Sequence, residues 1–376
     1  MRTVLCAEGL YEPTVGIAHY LERFPATADD PVELLFGVRR TPVPASVTEA
    51  PHVKLAAFIP GRGLPRDKHV DYRRYSYSQV CDSLLRGELR LDAVVAVAGQ
   101  PLSDGKRSLG VIDGYLQLAI DRARIVVAEQ RDGVPHLPGA ATADADCLVV
   151  SAPVEEAFTP LSGVPDATSA RIAERIADLI PPRPTIALGV GRILDALTDR
   201  LTRLTDLRIV SGAITDAAVA LDAAGALNPS APVEGMSLVG SNELVSWAAD
   251  EGRVRLRPST RIHDPSWLAA HPRFICALGA LSVDLAGNVN SERIGERVVS
   301  GLGGAPDLAA GAHRSAGGLC IVALPSVSPN GRCTLEETLP SVSVDGSIVD
   351  AIVTEKGVAR RTGTADEWRH AIERIF

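Results

Sequence analysis

A strand, a glycine-containing loop and a helix follow one another twice in this chain, and that recurrence limits the fold more than any other feature. Thr3–Cys6 is a short apolar run, Ala7-Glu8-Gly9-Leu10-Tyr11-Glu12-Pro13 supplies a loop, and the pattern that follows predicts a helix over about 14–24. Thr185–Leu188, Gly189-Val190-Gly191 and a helix over Arg192–Arg203 repeat the order. Such a unit opens a parallel α/β sheet, whose ligand loops collect at the carboxyl ends of the strands. Two copies predict two tandem open α/β domains, and 376 residues are ample for both.

The intervening runs fit that plan. Val32–Val38, Val53–Ile59, Ala93–Val97, Ile125–Glu129 and Cys147–Val150 read as further buried strands of the first domain. A helix over about 167–180 runs into Pro181-Pro182-Arg183-Pro184, where the prolines stop it. The division is therefore expected at or just before this linker, as domains 1–166 and 167–376. Gly189-x-Gly191 lacks a third glycine at dinucleotide spacing, which disfavours a nicotinamide site.

The second domain carries a ligand cradle between Phe274 and Ser326. Phe274–Leu278 is an apolar strand, Asp284-Leu285-Ala286-Gly287-Asn288-Val289-Asn290 turns sharply, and Ser300-Gly301-Leu302-Gly303-Gly304-Ala305-Pro306-Asp307 leads into a helix-compatible stretch. Three glycines in four residues cost backbone entropy, which suggests a main chain that comes close to something with its N–H groups free; a tight turn is the plainer alternative. Leu319–Ser326 closes the unit as another buried strand.

In this order and spacing, "VDLAGNVN", "SGLGGAPD", "IVALPS" and the later "IVTEKG" at Ile352–Gly357 resemble the acetyl-CoA hydrolase and 4-hydroxybutyrate CoA-transferase family. The resemblance implies the CoA-transferase (NagB/RpiA-like) fold and coenzyme A, bound as the acyl-CoA substrate. It also implies a homodimer or larger homo-oligomer. Gly301, Leu302, Gly303, Gly304 and Asp307, with Gly189 and Gly191, are the implied CoA contacts. Gln100, Pro101, Ser103, Asp104 and Gly110 stand in for a Pro- and Asp-containing family loop after Ala93–Val97. Relative to the family, the chain begins at the first strand.

One family residue is missing. Leu207–Ala226 resembles the segment in which a His-Thr-Glu run ends a strand and a Ser-Asp pair starts a helix, and Thr215-Asp216 matches the pair. The run then falls on Val210, Ser211 and Gly212, so glycine stands where the family has its covalent glutamate. In a CoA-transferase that carboxylate attacks the acyl-CoA and then holds CoA as a thioester, which glycine cannot do. Glu243 is the candidate for a relocated nucleophile.

Candidate acid-base groups are Glu8 and Glu12 in the first loop, Asp104, Asp216, Asp307 and Glu355. Asp216 is expected to cap its helix, and Glu355 to match a family glutamate. Cys6 ends a strand beside a loop and is the thiol placed for reactivity, with a buried inert thiol as the alternative. His263 with Asp264 reads as a surface pair, or else as an oriented base. Arg62, Arg66, Lys68, Arg73 and Arg74, interleaved with Tyr72, Tyr75 and Tyr77, are read as a solvated loop over packed rings, with a grip on the CoA phosphates as the alternative.

A net charge of -8 and the lack of a basic stripe argue against nucleic acid as partner. Six cysteines without ligand spacing suit reduced core thiols and no metal. With no leader or spanning segment read at the start, a cytoplasmic protein with no membrane partner is expected. Three functions compete: an acyl-CoA hydrolase, carbon–carbon lyase or decarboxylase without the glutamyl intermediate; a transferase or thioesterase with a relocated carboxylate; and a non-catalytic CoA-thioester binder.

Overall fold

The computed structural model describes residues 1–154, 158 and 164–376. The first half builds one seven-stranded parallel sheet. Its strands are β1 (Arg2–Cys6), β2 (Val32–Val38), β3 (Val53–Ile59), β4 (Val70–Tyr72), β5 (Ala93–Ala98), β6 (Ile125–Gln130) and β7 (Leu148–Ser151). They lie in the order β4-β3-β2-β1-β5-β6-β7. The second half builds β8 (Thr185–Leu188), β9 (Arg208–Ile214), β10 (Val233–Leu238), β11 (Val254–Leu256), β12 (Phe274–Gly279), β13 (Leu319–Ala323), β14 (Ala351–Val353) and β15 (Val358–Arg360). Their order, β11-β10-β9-β8-β12-β13-β14-β15, copies the first sheet and adds an antiparallel edge strand.

In each sheet the first strand is central and pairs in parallel with the second on one side and the fifth on the other. Cys6 lies opposite both Phe36 and Val95, and Ile186 opposite both Ile209 and Ile275. The chain reverses its direction of travel across the sheet at that strand, which opens a crevice at the carboxyl edge. Helices α1 (Val15–Arg23), α2 (Tyr77–Leu85), α3 (Ala167–Ala177), α4 (Arg192–Leu201) and α5 (Ala305–Arg314) cover the faces. Covered on both sides, central strands such as Ala93–Ala98 are buried at every residue.

Several elements depart from the sequence expectations. The helices expected to reach residues 180 and 203 end at Ala177 and Leu201, and the strand expected to reach Ser326 ends at Ala323, ahead of Pro325, which has no N–H for the ladder. Val233–Leu238 escaped notice because its Glu, Gly and Ser break the apolar run, although all six residues are buried. No helix among the described residues is long and apolar enough to cross a membrane.

The two halves meet along their carboxyl edges. Asp113 N–H donates to Met236 O at 2.9 Å, Ser259 N–H to Gly114 O at 2.6 Å and Tyr77 N–H to Gly303 O at 2.9 Å. The Ser78 hydroxyl donates to Asp307 at 2.6 Å, and Arg74 forms a two-pronged pair with the buried Glu292. Charge-assisted hydrogen bonds of this kind fix orientation as well as contributing energy.

Candidate active site between the two halves

The glycine turn of the second half is pressed against the first. A Cβ placed on Gly301 would lie 2.6 Å from Phe58 O, so no side chain fits while the turn abuts β3. Gly303 has φ +53 and faces Tyr77, and Gly304 is the residue from which α5 starts. Leu302 is buried beside them. Asp307, in the first turn of α5, accepts from Ser78, and its burial pushes its carboxyl up to about 6.

Gly212 belongs to β9, and among the described residues the side chain within 4 Å of a Cβ built there is His263, whose Nε2 is 3.2 Å away. A Cβ on Gly304 would come within 2.3 Å of the same nitrogen. His263 is 1% exposed, its ring centroid is 5.0 Å from that of Tyr77, and neither ring nitrogen has a partner. Burial pushes its pKa down to about 3, so the imidazole is neutral. The expected surface pair with Asp264 does not form: the Asp264 carboxylate accepts from Ser266 N–H and caps the next short helix.

Tyr77 links this ring to the first half. Its hydroxyl donates to Glu8 at 3.4 Å, and Val38 N–H donates to the same carboxylate at 2.7 Å. Glu8 is 2% exposed, and among the described residues its other oxygen has no hydrogen bond of ordinary geometry, although the Tyr115 hydroxyl interacts with the same carboxylate. Burial pushes Glu8 up to about 7, against the opposing pull of its hydrogen bonds. Gly37 makes room for this carboxylate, since a Cβ there would lie 2.4 Å from it and 2.6 Å from the Tyr115 hydroxyl. The interface thus gathers Glu8, Tyr77 and Tyr115 from one half with Gly212, His263 and Gly304 from the other.

Gly189 and Gly191 lie elsewhere, at the crevice of the second sheet. A cavity of about 390 Å³ opens there, lined by Gly191, Arg192, Ser169, Gly279, Ala323 and Pro325 among others. Gly191 has φ +140 and, among the described residues, nothing within 4 Å of a built Cβ, so its Cβ direction points into the cavity side of the start of α4. The Ser211 hydroxyl donates to Leu188 O, which ties the strand carrying Gly212 to the edge of this crevice. Glu355 stands nearby on Ser326, accepting from both its N–H and its hydroxyl. Burial raises that carboxyl, but these hydrogen bonds outweigh it and hold it below its ordinary value.

Other sequence candidates fall away from these two places. Cys6 is fully buried and its thiol is pushed up to about 12 by burial, which makes it a core thiol and no nucleophile. Asp104 is exposed in a turn and accepts from Lys106 N–H. Glu12 is consumed by Arg40 and Thr41 N–H groups, and Asp216 accepts from Ser241 instead of capping its own helix. Glu243 is exposed in the first turn of its helix, so relocation there loses its geometric basis. Arg73 and Arg74 are paired with Glu33 and Glu292, while Arg62, Arg66 and Lys68 of that loop are exposed. No group of three or more ligating side chains suited to a metal occurs among the described residues.

Residues 240–373 match the acetyl-CoA hydrolase/transferase C-terminal domain. A 4-hydroxybutyrate coenzyme A transferase of Clostridium kluyveri is 29% identical over 324 residues, 82% of this chain and 75% of that protein. The carboxy-terminal region is thus similar to the acetyl-CoA hydrolase/transferase family, and most of the chain is similar to a CoA transferase. A succinyl-CoA:acetate/propanoyl-CoA:succinate CoA transferase of Fasciola hepatica is 27% identical, covering 78% of this chain and 64% of that protein. The fold is shared with 4-hydroxybutyrate CoA-transferase from Porphyromonas gingivalis, at TM-score 0.78 and 24% identity over 100% of this chain and 89% of that one. RipA from Yersinia pestis shares it too, at TM-score 0.83 and 20% identity, covering 100% and 94%. These relatives fit an α/β CoA-transferase architecture with two matching sheets.

Proposed function

We propose that this chain processes an acyl-CoA without storing it on a glutamate, by hydrolysis, carbon–carbon cleavage or decarboxylation. The observation that supports the reading is the surroundings of Gly212, the residue read at the glutamate position: among the described residues, the side chain within 4 Å of its Cβ direction is an imidazole. With no carboxylate to form an anhydride, the thioester is activated by polarisation. Donors that stabilise a tetrahedral oxyanion stabilise an enolate on the same oxygen equally well, so loss of the nucleophile redirects a thioester pocket to other chemistry.

The proposed path for the CoA is the crevice of the second sheet, past Gly189 and Gly191, with Arg192 at the rim and the thioester at the Gly301–Gly304 turn beside Gly212. Glu8, buried and with a carboxyl raised to about 7, is the proposed acid-base group. Transfer of CoA through a relocated carboxylate is the second reading. It is favoured by the CoA-transferase names of the relatives, and Glu8 is the buried carboxylate that would have to serve.

Incubation with a panel of acyl-CoAs followed by borohydride and mass spectrometry tests the choice. The expected result is product with every glutamate chemically unchanged. A glutamate reduced to its alcohol with CoA released, at Glu8 or another carboxylate, reveals a glutamyl-CoA thioester and restores ordinary transfer, and tight binding without product leaves a CoA-thioester binder.

A further inference from the structure

Two glycines flank one imidazole, and the closer of them admits no side chain while the ring is seated. The Cβ positions of Gly212 and Gly304 converge on His263 Nε2, at 3.2 Å and 2.3 Å, so the ring fills the space into which a side chain at 212 would grow. A neutral imidazole always carries one N–H and one bare nitrogen, and here both are buried without a partner. Each such unmet group costs roughly 1–3 kcal/mol, a penalty that a leucine or phenylalanine filling the same volume would avoid. No carboxylate orients the ring, because Asp264 is engaged with Ser266. The neighbours that face it, Tyr77, Gly212 and Gly304, present a ring and two glycines and leave its polar atoms unanswered.

We propose that His263 replaces the absent glutamate as the catalytic residue, its ring N–H donating to the thioester carbonyl oxygen of the bound acyl-CoA. This deepens the reading given under Proposed function and rests on it. The ring acts as a hydrogen-bond donor and forms no covalent bond, so the carbonyl is polarised while no acyl-enzyme or CoA-enzyme thioester appears. An imidazole whose pKa lies far below neutrality suits this role, because it stays neutral and donates without carrying a charge into the site. At 1% exposure it is reached only when Tyr77 or the Gly301–Gly304 turn gives way, and the Tyr77–Gly303 hydrogen bond is the contact that must open.

The test compares His263→Phe, which keeps a ring and removes both nitrogens, with His263→Gln, which offers an amide N–H. Turnover of the best acyl-CoA is measured with CoA affinity by calorimetry and the thermal midpoint. His263→Phe is expected to lose on the order of a hundredfold in kcat with CoA affinity nearly unchanged and Tm raised, and His263→Gln to recover part of the loss in kcat. Full turnover by His263→Phe would overturn the proposal and leave the ring a packing residue. If His263→Phe does not fold, His263→Met takes its place: equal kcat in the Met and Gln variants overturns the proposal, and recovery confined to Gln supports it. Wild-type protein that binds CoA yet ignores His263 substitutions sinks this inference alone, whereas wild-type protein that neither binds nor turns over any acyl-CoA sinks the CoA reading with it.

Discussion

The crevices of the two sheets are built to the same plan and left in opposite states. In the first half, the start of α1 is closed from within: Thr14 and Gly16 N–H groups both donate to Glu129 at 2.7 Å, and Arg131 pairs with that carboxylate. In the second half, the start of α4 follows Gly191, whose Cβ direction meets no atom within 4 Å among the described residues and which borders the cavity of about 390 Å³. Free N–H groups at a helix start attract an anion, and the first half has supplied its own. Duplicate topology therefore does not mean duplicate sites: one crevice has become a buried ion-pair anchor and the other has stayed open.

Glu129→Ala breaks the comparison most severely. It leaves Arg131 and two N–H groups buried without their carboxylate, and a loss of about 3–5 kcal/mol is expected in a denaturant melt. A loss under 1 kcal/mol contradicts the anchor.

Glu8 and His263 sharpen the contrast by titration, since burial moves them in opposite directions. Glu8 has its carboxyl raised from 4.5 to about 7, so the native state keeps a proton that the unfolded chain gives up across that window. Its contribution to stability is thus greatest below about pH 4.5 and declines as pH rises to about 7, by on the order of 3 kcal/mol. Glu8→Gln is expected to remove this slope from the difference in stability between the two proteins; an unchanged slope assigns it elsewhere.

Gly191→Val tests the open crevice. The residue sits at φ +140, where a β-branched side chain is strained, and the methyls point to the cavity side. CoA affinity is expected to fall about tenfold or more, worth ~1.4 kcal/mol, read by calorimetry. A matching change at Gly16, in the closed crevice, is expected to act on stability and leave affinity alone in whatever protein folds. The smallest effect belongs to Ser78→Ala, which removes the 2.6 Å bond to Asp307 between the halves, at about 1 kcal/mol in a thermal melt.

The sequence was most readable where both faces of a strand are covered. Val32–Val38, Val53–Ile59 and Thr185–Leu188 fold over the residues expected, because double burial demands an uninterrupted apolar run. Val233–Leu238 hid behind its Glu, Gly and Ser, whose burial comes from neighbours distant in the chain. The Gly301–Gly304 turn was legible as a glycine turn, but its partners Ser76–Ser78 lie more than 200 residues earlier, so the contact has no local signal. The surroundings of His263 were the least legible part of the site. Next to Asp264 it looks like a charged surface pair, and only the packing of β9 against the start of α5 shows that the ring fills the space beside Gly212. The signal available in the chain was the glycine itself: space opened at a site of chemistry invites the question of what occupies it.

A crystal structure with a non-cleavable acyl-CoA analogue tests the central claim most directly. The CoA chain is expected to run over Gly189–Gly191, with the acyl carbonyl oxygen within hydrogen-bond distance of a His263 ring nitrogen and no carboxylate near the carbonyl carbon. A carboxylate oxygen of Glu8 or Glu355 in line with that carbon, or the analogue seated at the Glu129-closed crevice, would contradict it.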